Sequence, residues 1–440
     1  MLQSTSLPNL TGRTVEGGRL QIVTLLGAGA YGKLYRAIDT NPTPRSRPYS
    51  WPGAFPTSSN SSISSSSSAS PNIYAVKCLV RPPPRTKDAK IQRRERSLHL
   101  RVSSHPNIVT LHRHFTDKSH CFLVMDYHPR GDLFQAITED VYFRKPELIK
   151  ATFAAIVQGV QFCHNKGVYH RDIKPDNILV DFDGCSPCLA DFGLATSHKV
   201  SREADCGTGS YMSPETFASS GTVCYRPALS DAWALSITLI NLVTAMNPWH
   251  AARPLHDSRF RSFIRQPDYY LLNILPISSD LSAVLVRTFH LDPTVRLPLA
   301  QFADEVQKID DLFISEEELE FATPAVRRAA GYVVEGEEFD PSEPIDDAEP
   351  SNSGSGYSSD LRPLPAGLLP RSPSPSPPAA PGHQRKPPRR SASDPSNSSG
   401  RACVLTLDLP RSVSSSPQDA AVPKLGKFKR FMRRLRVWRK

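Results

Sequence analysis

Several things are scarce in this 440-residue sequence, and each scarcity removes a class of protein. No uninterrupted apolar run is long enough to span a bilayer. The longest, Ala232 to Ala245, is interrupted by Ser236, Thr238, Asn241 and Thr244. A spanning helix needs about 20 predominantly apolar residues, so this run reads as a buried helix. Cysteine has no framework spacing: the eight residues Cys78, Cys121, Cys163, Cys185, Cys188, Cys206, Cys224 and Cys403 sit in a chain too long to need disulfide staples. Cys185-x-x-Cys188 is the one close pair. Neither a second pair nor histidines at ligand spacing follow it, which favours reduced thiols in a hairpin turn over a zinc site. The N-terminus lacks a basic-then-apolar signal pattern. These absences predict an intracellular protein, soluble or peripheral at most. Acids are missing from residues 424–440, which hold nine Lys/Arg, while the whole chain carries a formal charge of +10. The basic balance therefore belongs to one tail and does not mark the whole chain as a nucleic-acid binder.

Proline and serine, by contrast, are plentiful and clustered. Length alone suggests two to three domains, but the 41 prolines and the serine-rich stretches lower that number. The sequence predicts a flexible N-terminus over 1–18, one folded domain over 19–309, and a tail beyond it. Ten of the 13 residues from Ser58 to Ser70 are serine. Such a stretch cannot offset the entropy of folding, so 41–72 is predicted to be a disordered insertion between two adjacent strands. Long surface insertions of this kind cost little. Residues 315–350 carry 12 acids and two arginines, and 351–400 are rich in Ser, Pro and Gly. The stretch 310–423 is accordingly predicted to be a disordered tail, acidic and then Pro/Ser-rich. In 424–440, Leu425, Phe428, Phe431, Met432, Leu435 and Trp438 recur at helical spacing with Lys/Arg on the other face. That amphipathic pattern suits an anionic membrane surface, an acidic groove or an import receptor.

The folded part opens with a strand from Leu20 that runs into Gly27-Ala28-Gly29-Ala30-Tyr31-Gly32. Three glycines at this spacing let backbone amides approach phosphates. A dinucleotide-binding turn would need a helix next, whereas Leu34-Tyr35-Arg36-Ala37-Ile38 reads as a strand. Lys77 lies among apolar residues on the strand Tyr74–Leu79, where an unpaired ammonium would be costly, so it needs anions. A helix over about 85–102 carries Glu95. A strand over Cys121–Tyr127 ends in the turn His128-Pro129-Arg130-Gly131-Asp132, and a helix over about 146–166 precedes Tyr169-His170-Arg171-Asp172-Ile173-Lys174-Pro175-Asp176-Asn177. Ile178-Leu179-Val180 and Cys188-Leu189-Ala190 form a hairpin around an Asp-Gly turn, ahead of Asp191-Phe192-Gly193. Asp172 can accept a proton from a hydroxyl. Asn177 and Asp191 are the hard oxygen ligands that Mg²⁺ takes alongside phosphate oxygens, and Lys174 can neutralise a phosphoryl group in transit.

Taken in order, the glycine loop, Lys77, Glu95, the Asp172 loop, Asp191-Phe192-Gly193, and Ser213-Pro214-Glu215 with Arg296 resemble the eukaryotic protein kinases over about residues 19–309. The resemblance implies an α+β, bilobal fold. It would have a small β-sheet lobe with one helix, a mainly helical second lobe, and a long disordered C-terminal tail. It implies ATP and Mg²⁺ as cofactors and Ser/Thr hydroxyls of proteins as acceptors, because Lys174 and Gly207-Thr208 look like a serine/threonine kinase. Catalytic roles fall to Asp172 and Lys174, and metal ligation to Asn177 and Asp191. Nucleotide contacts fall to Leu26, Gly27, Ala28, Gly29, Gly32, Leu34, Ala75, Lys77, Glu95, Asp126, His128, Asp132 and Leu179. Leu34 would lie over the adenine, Met125 would line the back of the pocket, and Asp126 and His128 would offer backbone groups to it.

The segment Leu194–Ser213 would be the activation segment. The phosphorylatable residue common in the family, four before Thr208, is here Ala204, flanked by Glu203 and Asp205, so activity without phosphorylation at that point is expected. Arg296 would form a buried ion pair with Glu215. Asp132 and Asp176 imply a substrate arginine upstream of the target residue. Ser103-Ser104-His105-Pro106-Asn107-Ile108, Tyr211-Met212-Ser213-Pro214-Glu215, Asn247-Pro248-Trp249-His250 and Pro267-Asp268-Tyr269…Ile274-Leu275-Pro276-Ile277-Ser278 further resemble the fungal kinases of the Ran/Pat type, which act in nutrient response and in restraining entry to meiosis. The resemblance implies a monomer in the cytoplasm, the nucleus or both. Two other readings remain open at this point: a pseudokinase scaffold, and a module dominated by its basic tail binding membrane or nucleic acid.

Overall fold

The computed structural model describes residues 7–29, 32–41, 72–221 and 224–331. The smaller lobe is a six-stranded antiparallel sheet made of β1 (Thr14–Val15), β2 (Leu20–Gly29), β3 (Gly32–Asp39), β4 (Ile73–Val80), β5 (Leu111–Thr116) and β6 (His120–Asp126), in the order β1-β2-β3-β4-β6-β5. Alternation along the strands sends Leu20, Ile22, Tyr35, Ala37, Val76, Cys78, Phe122 and Val124 into one core. One helix, α1 (Lys87–Val102), joins β4 to β5. Thr86 caps it by accepting from the Ala89 amide at 3.2 Å, with Asp88 in the first turn and His99 and Arg101 in the last. Glu95, Leu98, His99 and Val102 are buried at i, i+3, i+4 and i+7, so the helix turns one stripe inward and that stripe carries a carboxylate.

The larger lobe is helical. It contains α2 (Leu133–Thr138), α3 (Pro146–Asn165), a two-strand hairpin of β7 (Ile178–Leu179) and β8 (Cys188–Leu189), α4 (Pro227–Thr244), α5 (Ser258–Arg265), α6 (Pro267–Ile274), α7 (Ser279–Thr288), α8 (Leu299–Lys308), α9 (Glu316–Phe321) and α10 (Pro324–Ala329). Helix α4 is buried nearly all round, as its predominantly apolar sequence requires. Its hydroxyls are satisfied locally: Ser236 donates to the Ala232 carbonyl at 3.1 Å and Thr238 to that of Ala234 at 2.9 Å. Trp233, Trp249, Phe260 and Phe289 interlock around it, with ring centroids 4.9–6.1 Å apart. Arg296 lies 4.7 Å over Trp233 and grips Glu215 through both terminal nitrogens, at 2.7 and 2.8 Å. Both side chains are nearly or wholly buried.

Two expected boundaries are corrected. The segment from Leu7 to Gly18 is part of the fold, not a flexible lead-in. Leu7 and Leu10 are buried in the sheet's core, and the Tyr35 hydroxyl donates to the Pro8 carbonyl at 3.0 Å. Lys33 donates to the Leu7 carbonyl, β1 pairs with β2, and Glu16 forms a two-pronged ion pair with Arg113 at 2.8 Å. Polar composition hid these anchors because two leucines suffice to seat the segment. At the other end, the folded chain passes Ile309 and continues to Gly331. Ser278 donates its amide to the Leu312 carbonyl, Thr323 donates to Asn273, and Leu312, Leu319 and Val326 are buried. Acidic residues dominate this stretch and masked those three apolar positions. The local signal was present: Ser315 and Glu318 form a reciprocal capping box at the start of α9.

The insertion's two ends lie side by side, with the Asp39 amide donating to the Asn72 carbonyl at 2.9 Å, which is why a long excursion is tolerated there. Its serine-rich body, Tyr31 of the glycine loop, the 332–423 stretch and the basic 424–440 segment lie outside the described residues. Among the described residues no helix is long and apolar enough to cross a membrane, and the cysteines are free, Cys185 and Cys188 included.

Candidate active site

The cleft between the lobes gathers the predicted residues from six places in the chain. On its upper side, β2 and β3 meet at the glycine turn, where Gly27 pairs with Leu34, Ala28 with Lys33 and Gly29 with Gly32. Among the described residues, a Cβ built on Gly27 or Gly29 would meet no atom within 4 Å. Gly32 differs: a Cβ would fall 2.6 Å from the Cys78 carbonyl. Leu34 stands opposite Lys77 on β4, Ala75 is buried on the same strand, and Leu26 keeps 41 % of its surface exposed.

Lys77 is the centre of the charge arrangement. Its ammonium donates to Glu95 at 2.9 Å and to Asp191 at 2.8 Å. Burial by itself would lower its pKa, but the two carboxylates hold it well above the ordinary lysine value. The Lys77 ammonium in turn holds Asp191 down at about 2, although nearly half of that side chain faces the open cleft. Asp191 sits at φ +56°, a conformation uncommon for a residue with a Cβ, and accepts from the Gly193 amide. Glu95 is buried and paired with Lys77, not a solvated charge on the helix surface.

Across the cleft, Asp172 is held from several sides. One carboxylate oxygen accepts from the Thr208 amide at 3.0 Å and the Thr208 hydroxyl at 2.8 Å. The other accepts from the Asn177 amide nitrogen at 2.9 Å and lies 3.1 Å from the Lys174 ammonium. Lys174 also donates to the Thr208 hydroxyl at 2.6 Å. Asn177 spends its nitrogen on Asp172, at the carboxylate and at the backbone carbonyl, which leaves its oxygen as a hard donor. Gly207, at φ +125°, lies so close to the loop that a Cβ would fall 2.7 Å from the Arg171 carbonyl. Only glycine brings Thr208 this near to Asp172.

The loop's own anchor is Asp231 on α4. Its carboxylate accepts from the His170 and Arg171 amides at 2.9 and 2.8 Å and from His164 at 2.9 Å. The sequence reading gave Asp231 no role. A carboxylate inside an apolar helix run was the available signal, because a buried charge must be partnered. His99 was also missed. It is buried, hydrogen-bonded through Nε2 to the Val109 carbonyl at 2.7 Å, and stacked on Phe192 at 4.7 Å, which meets His170 edge-on at 4.9 Å. Burial pushes the His99 pKa down to about 4, so the stack contains a neutral imidazole at neutral pH.

The remaining predicted residues line the cleft's rear and mouth. Asp126 ends β6. Its amide donates to the Thr110 carbonyl at 3.1 Å and its carboxylate takes the His112 imidazole at 2.6 Å. The chain turns between His128 and Gly131, whose amide donates to the His128 carbonyl at 3.3 Å. Asp132 caps α2 through the Gln135 amide at 2.8 Å and bridges to Leu179 on β7. No group of three or more His, Cys, Asp or Glu side chains among the described residues forms a closed metal cage. Asn177 keeps its side-chain oxygen uncommitted to Asp172, and the Asp191 carboxylate is partly exposed beside Lys77, so both are hard oxygen donors.

The family model described as the protein kinase domain matches residues 59–306, more than half of the chain. The glycine turn lies upstream of that match, beyond the insertion. Among curated proteins, the chain is 37% identical over 325 residues to the Negative regulator of sexual conjugation and meiosis of Schizosaccharomyces pombe, covering 69% of this chain and 63% of that protein. It is 36% identical over 230 residues to the serine/threonine-protein kinase VHS1 of Saccharomyces cerevisiae, covering 49% of each. Over 259 residues it is 32% identical to the serine/threonine-protein kinase ksp1 of Schizosaccharomyces pombe, covering 56% of this chain and 52% of that one. The chain thus spans about half to under two thirds of the length of these relatives.

Proposed function

The chain belongs to the protein kinase family, and from that premise we propose that it transfers the γ-phosphoryl group of ATP to serine and threonine hydroxyls of protein substrates. The observation that carries this reading is the Asp172–Lys174–Thr208 network facing Lys77–Asp191 across one cleft. Every charged group that phosphoryl transfer calls on is held there in place, which disfavours a pseudokinase.

Kinases of this family use ATP and a divalent metal, and the residues present fit both. The glycine turn leaves open space beside Gly27 and Gly29 for phosphates, with Ala28 between them and Gly32 closing the turn. Leu26, Leu34, Ala75 and Leu179 offer apolar surface for a base, and Asp126 and His128 present the backbone of the connecting turn. Asp132 stands at its far end. Lys77, kept in register by Glu95, would hold the phosphates. Asn177 and Asp191 would hold Mg²⁺ through one amide and one carboxylate oxygen. The bound Mg²⁺–ATP supplies the phosphoryl group and neutralises its charge. Asp172 orients the acceptor hydroxyl and takes its proton, a contribution secondary to alignment. Lys174 would neutralise charge on the phosphoryl group, while its contact with the Thr208 hydroxyl keeps that residue against Asp172.

The test is Mg²⁺- and ATP-dependent phosphorylation of a generic basic peptide by the full chain. Asp172→Asn is expected to lower kcat by roughly 10²–10⁴-fold with ATP affinity little changed. Equal loss of both would count against the role given to Asp172. Asp132, the N-cap of α2, and the exposed Asp176, two residues after Lys174, are both acidic, which supports a preference for arginine three residues before the target. A peptide array without any basic preference there would remove that part of the reading. The likeness to a negative regulator of sexual conjugation and meiosis supports a role in nutrient or meiotic signalling.

A further inference from the structure

Two separate parts of the molecule converge on the carboxylate of Glu203, in the segment between Leu194 and Ser213. Its carboxylate accepts from the Arg171 guanidinium at 2.7 Å, one residue before Asp172, and lies 3.6 Å from the Arg94 guanidinium, one residue before Glu95. The two arginines thus flank, in sequence, the residue that would meet the acceptor hydroxyl and the residue that keeps Lys77 in register.

The arrangement is built from both sides. The Arg171 side chain is only 1 % exposed. Its backbone is at φ +68°, which L residues seldom adopt, and is held there by Asp231. Its Nε donates to the Leu194 carbonyl at 2.7 Å, and among the described residues Glu203 is the carboxylate in contact with the buried charge. Removing one partner of such a pair leaves a charge without compensation. Glu203 is itself fixed through its backbone. Its amide donates to the Ser201 hydroxyl at 3.1 Å, and its carbonyl accepts from the Tyr225 hydroxyl at 3.2 Å. Ser201 and Tyr225 exchange backbone hydrogen bonds at 2.8 and 2.9 Å. The pairing with Arg171 and Arg94 holds the Glu203 pKa below the ordinary value, so the carboxylate stays charged at neutral pH.

The neighbouring positions do not compete for this place. Ala204 has no hydroxyl. Asp205, at φ +50°, turns its carboxylate to the Ala218 amide at 3.2 Å instead. The Ser201 hydroxyl is buried and already accepts from both Glu203 and Arg171. The bases of the helix and the loop therefore meet a fixed anion that belongs to the chain itself.

We infer that Glu203 is a positioning residue whose carboxylate joins Arg94 of α1 to Arg171 of the Asp172 loop, so that the unmodified segment already holds the active arrangement. This rests on the kinase reading. A phosphate on this segment would make the same kind of contact with more charge. Here the carboxylate makes it permanently, and control of the enzyme lies elsewhere than in phosphorylation of these residues.

The experiment uses the full chain treated with a broad-specificity phosphatase, which is then removed, and the basic-peptide assay with Asp172→Asn as the reference for background. Treated wild type is expected to keep at least half of its kcat. Glu203→Gln, isosteric but neutral, should lower kcat on the order of tenfold, equivalent to 1.36 kcal/mol of transition-state stabilisation, with a smaller change in KM for ATP. Glu203→Asp, shorter but charged, should lie nearer to wild type than Gln does. A packing role would reverse that order, and reversal overturns the inference. So does a Gln variant with wild-type kcat, or loss of wild-type activity on dephosphorylation. Melting curves of both variants separate misfolding from loss of position, and the phosphatase arm needs no variant at all. If untreated wild type shows no activity above the Asp172→Asn background, the kinase reading itself fails, and that result is distinct from the others.

Discussion

At Asp172 the two carboxylate oxygens have different companions, and the difference is informative. One is fixed by the backbone and hydroxyl of Thr208, the other by Asn177 and Lys174. A carboxylate restrained on both oxygens cannot swing away from an incoming hydroxyl, which is the positional requirement of the reaction. His99 makes a second residue-scale argument. It is buried and neutral, with its pKa lowered from 6.5 to about 4 by burial. The unfolded chain therefore binds a proton at this residue more readily than the folded one between those values. The contribution is fully present above about pH 6.5 and is lost as pH falls toward 4, with a slope of up to about 1.4 kcal/mol per pH unit from this group. His99→Leu should flatten that part of the stability profile. The check is urea unfolding at a series of pH values between 7 and 4.5. An unchanged slope would show that other groups set the acid sensitivity.

At the scale of elements, the informative pairs join segments far apart in sequence. Arg296, after α7, closes on Glu215 beneath the Leu194–Ser213 segment and stacks on Trp233 of α4. The pair is almost fully withdrawn from water, so Arg296→Ala strands the Glu215 charge in the interior. A loss of about 3–5 kcal/mol is expected, read by chemical denaturation of the variant. Arg296→Lys should recover only part of it, because one ammonium cannot reproduce the two-pronged contact.

The same scale shows where the sequence was legible. Lys77 could be assigned partners because an ammonium among apolar strand residues demands them. Glu95 could be chosen because it stands on the next helix. Two leucines at 7 and 10, and three apolar residues among the acids after Ile309, gave no such demand. Their burial depends on the sheet face and the α6 surface that receive them, and neither is written in the local sequence.

At the scale of the whole molecule, the folded part and the basic 424–440 segment make separable predictions. The segment lies outside the described residues, and its pattern of aromatics and Lys/Arg supports docking to an anionic membrane surface or an import receptor. Deleting 424–440 should change where a fluorescently tagged chain resides while the basic-peptide kinase activity of the purified protein survives. Loss of peptide activity on deletion would instead tie the tail to the active site, and unchanged distribution would remove its targeting role. The described residues of the cleft find their partners within 7–331, which is the ground for expecting activity without the tail.

The sequence by itself determined the chemistry. The identities and order of Lys77, Glu95, Asp172, Lys174, Asn177 and Asp191 point to a phosphoryl transfer, because residues of these types can neutralise phosphates, orient a hydroxyl and ligate a hard cation. The resemblance to protein kinases that those motifs carry implied the two lobes. The tertiary structure alone decided which charges meet. Asp231 under the loop, His99 against Phe192, and Glu203 between Arg94 and Arg171 are separated by 32 to 109 residues from the partners that define them. No local pattern encodes such distances. Burial assigns those partners, because each charge taken from water must find its counterpart wherever the chain has brought it.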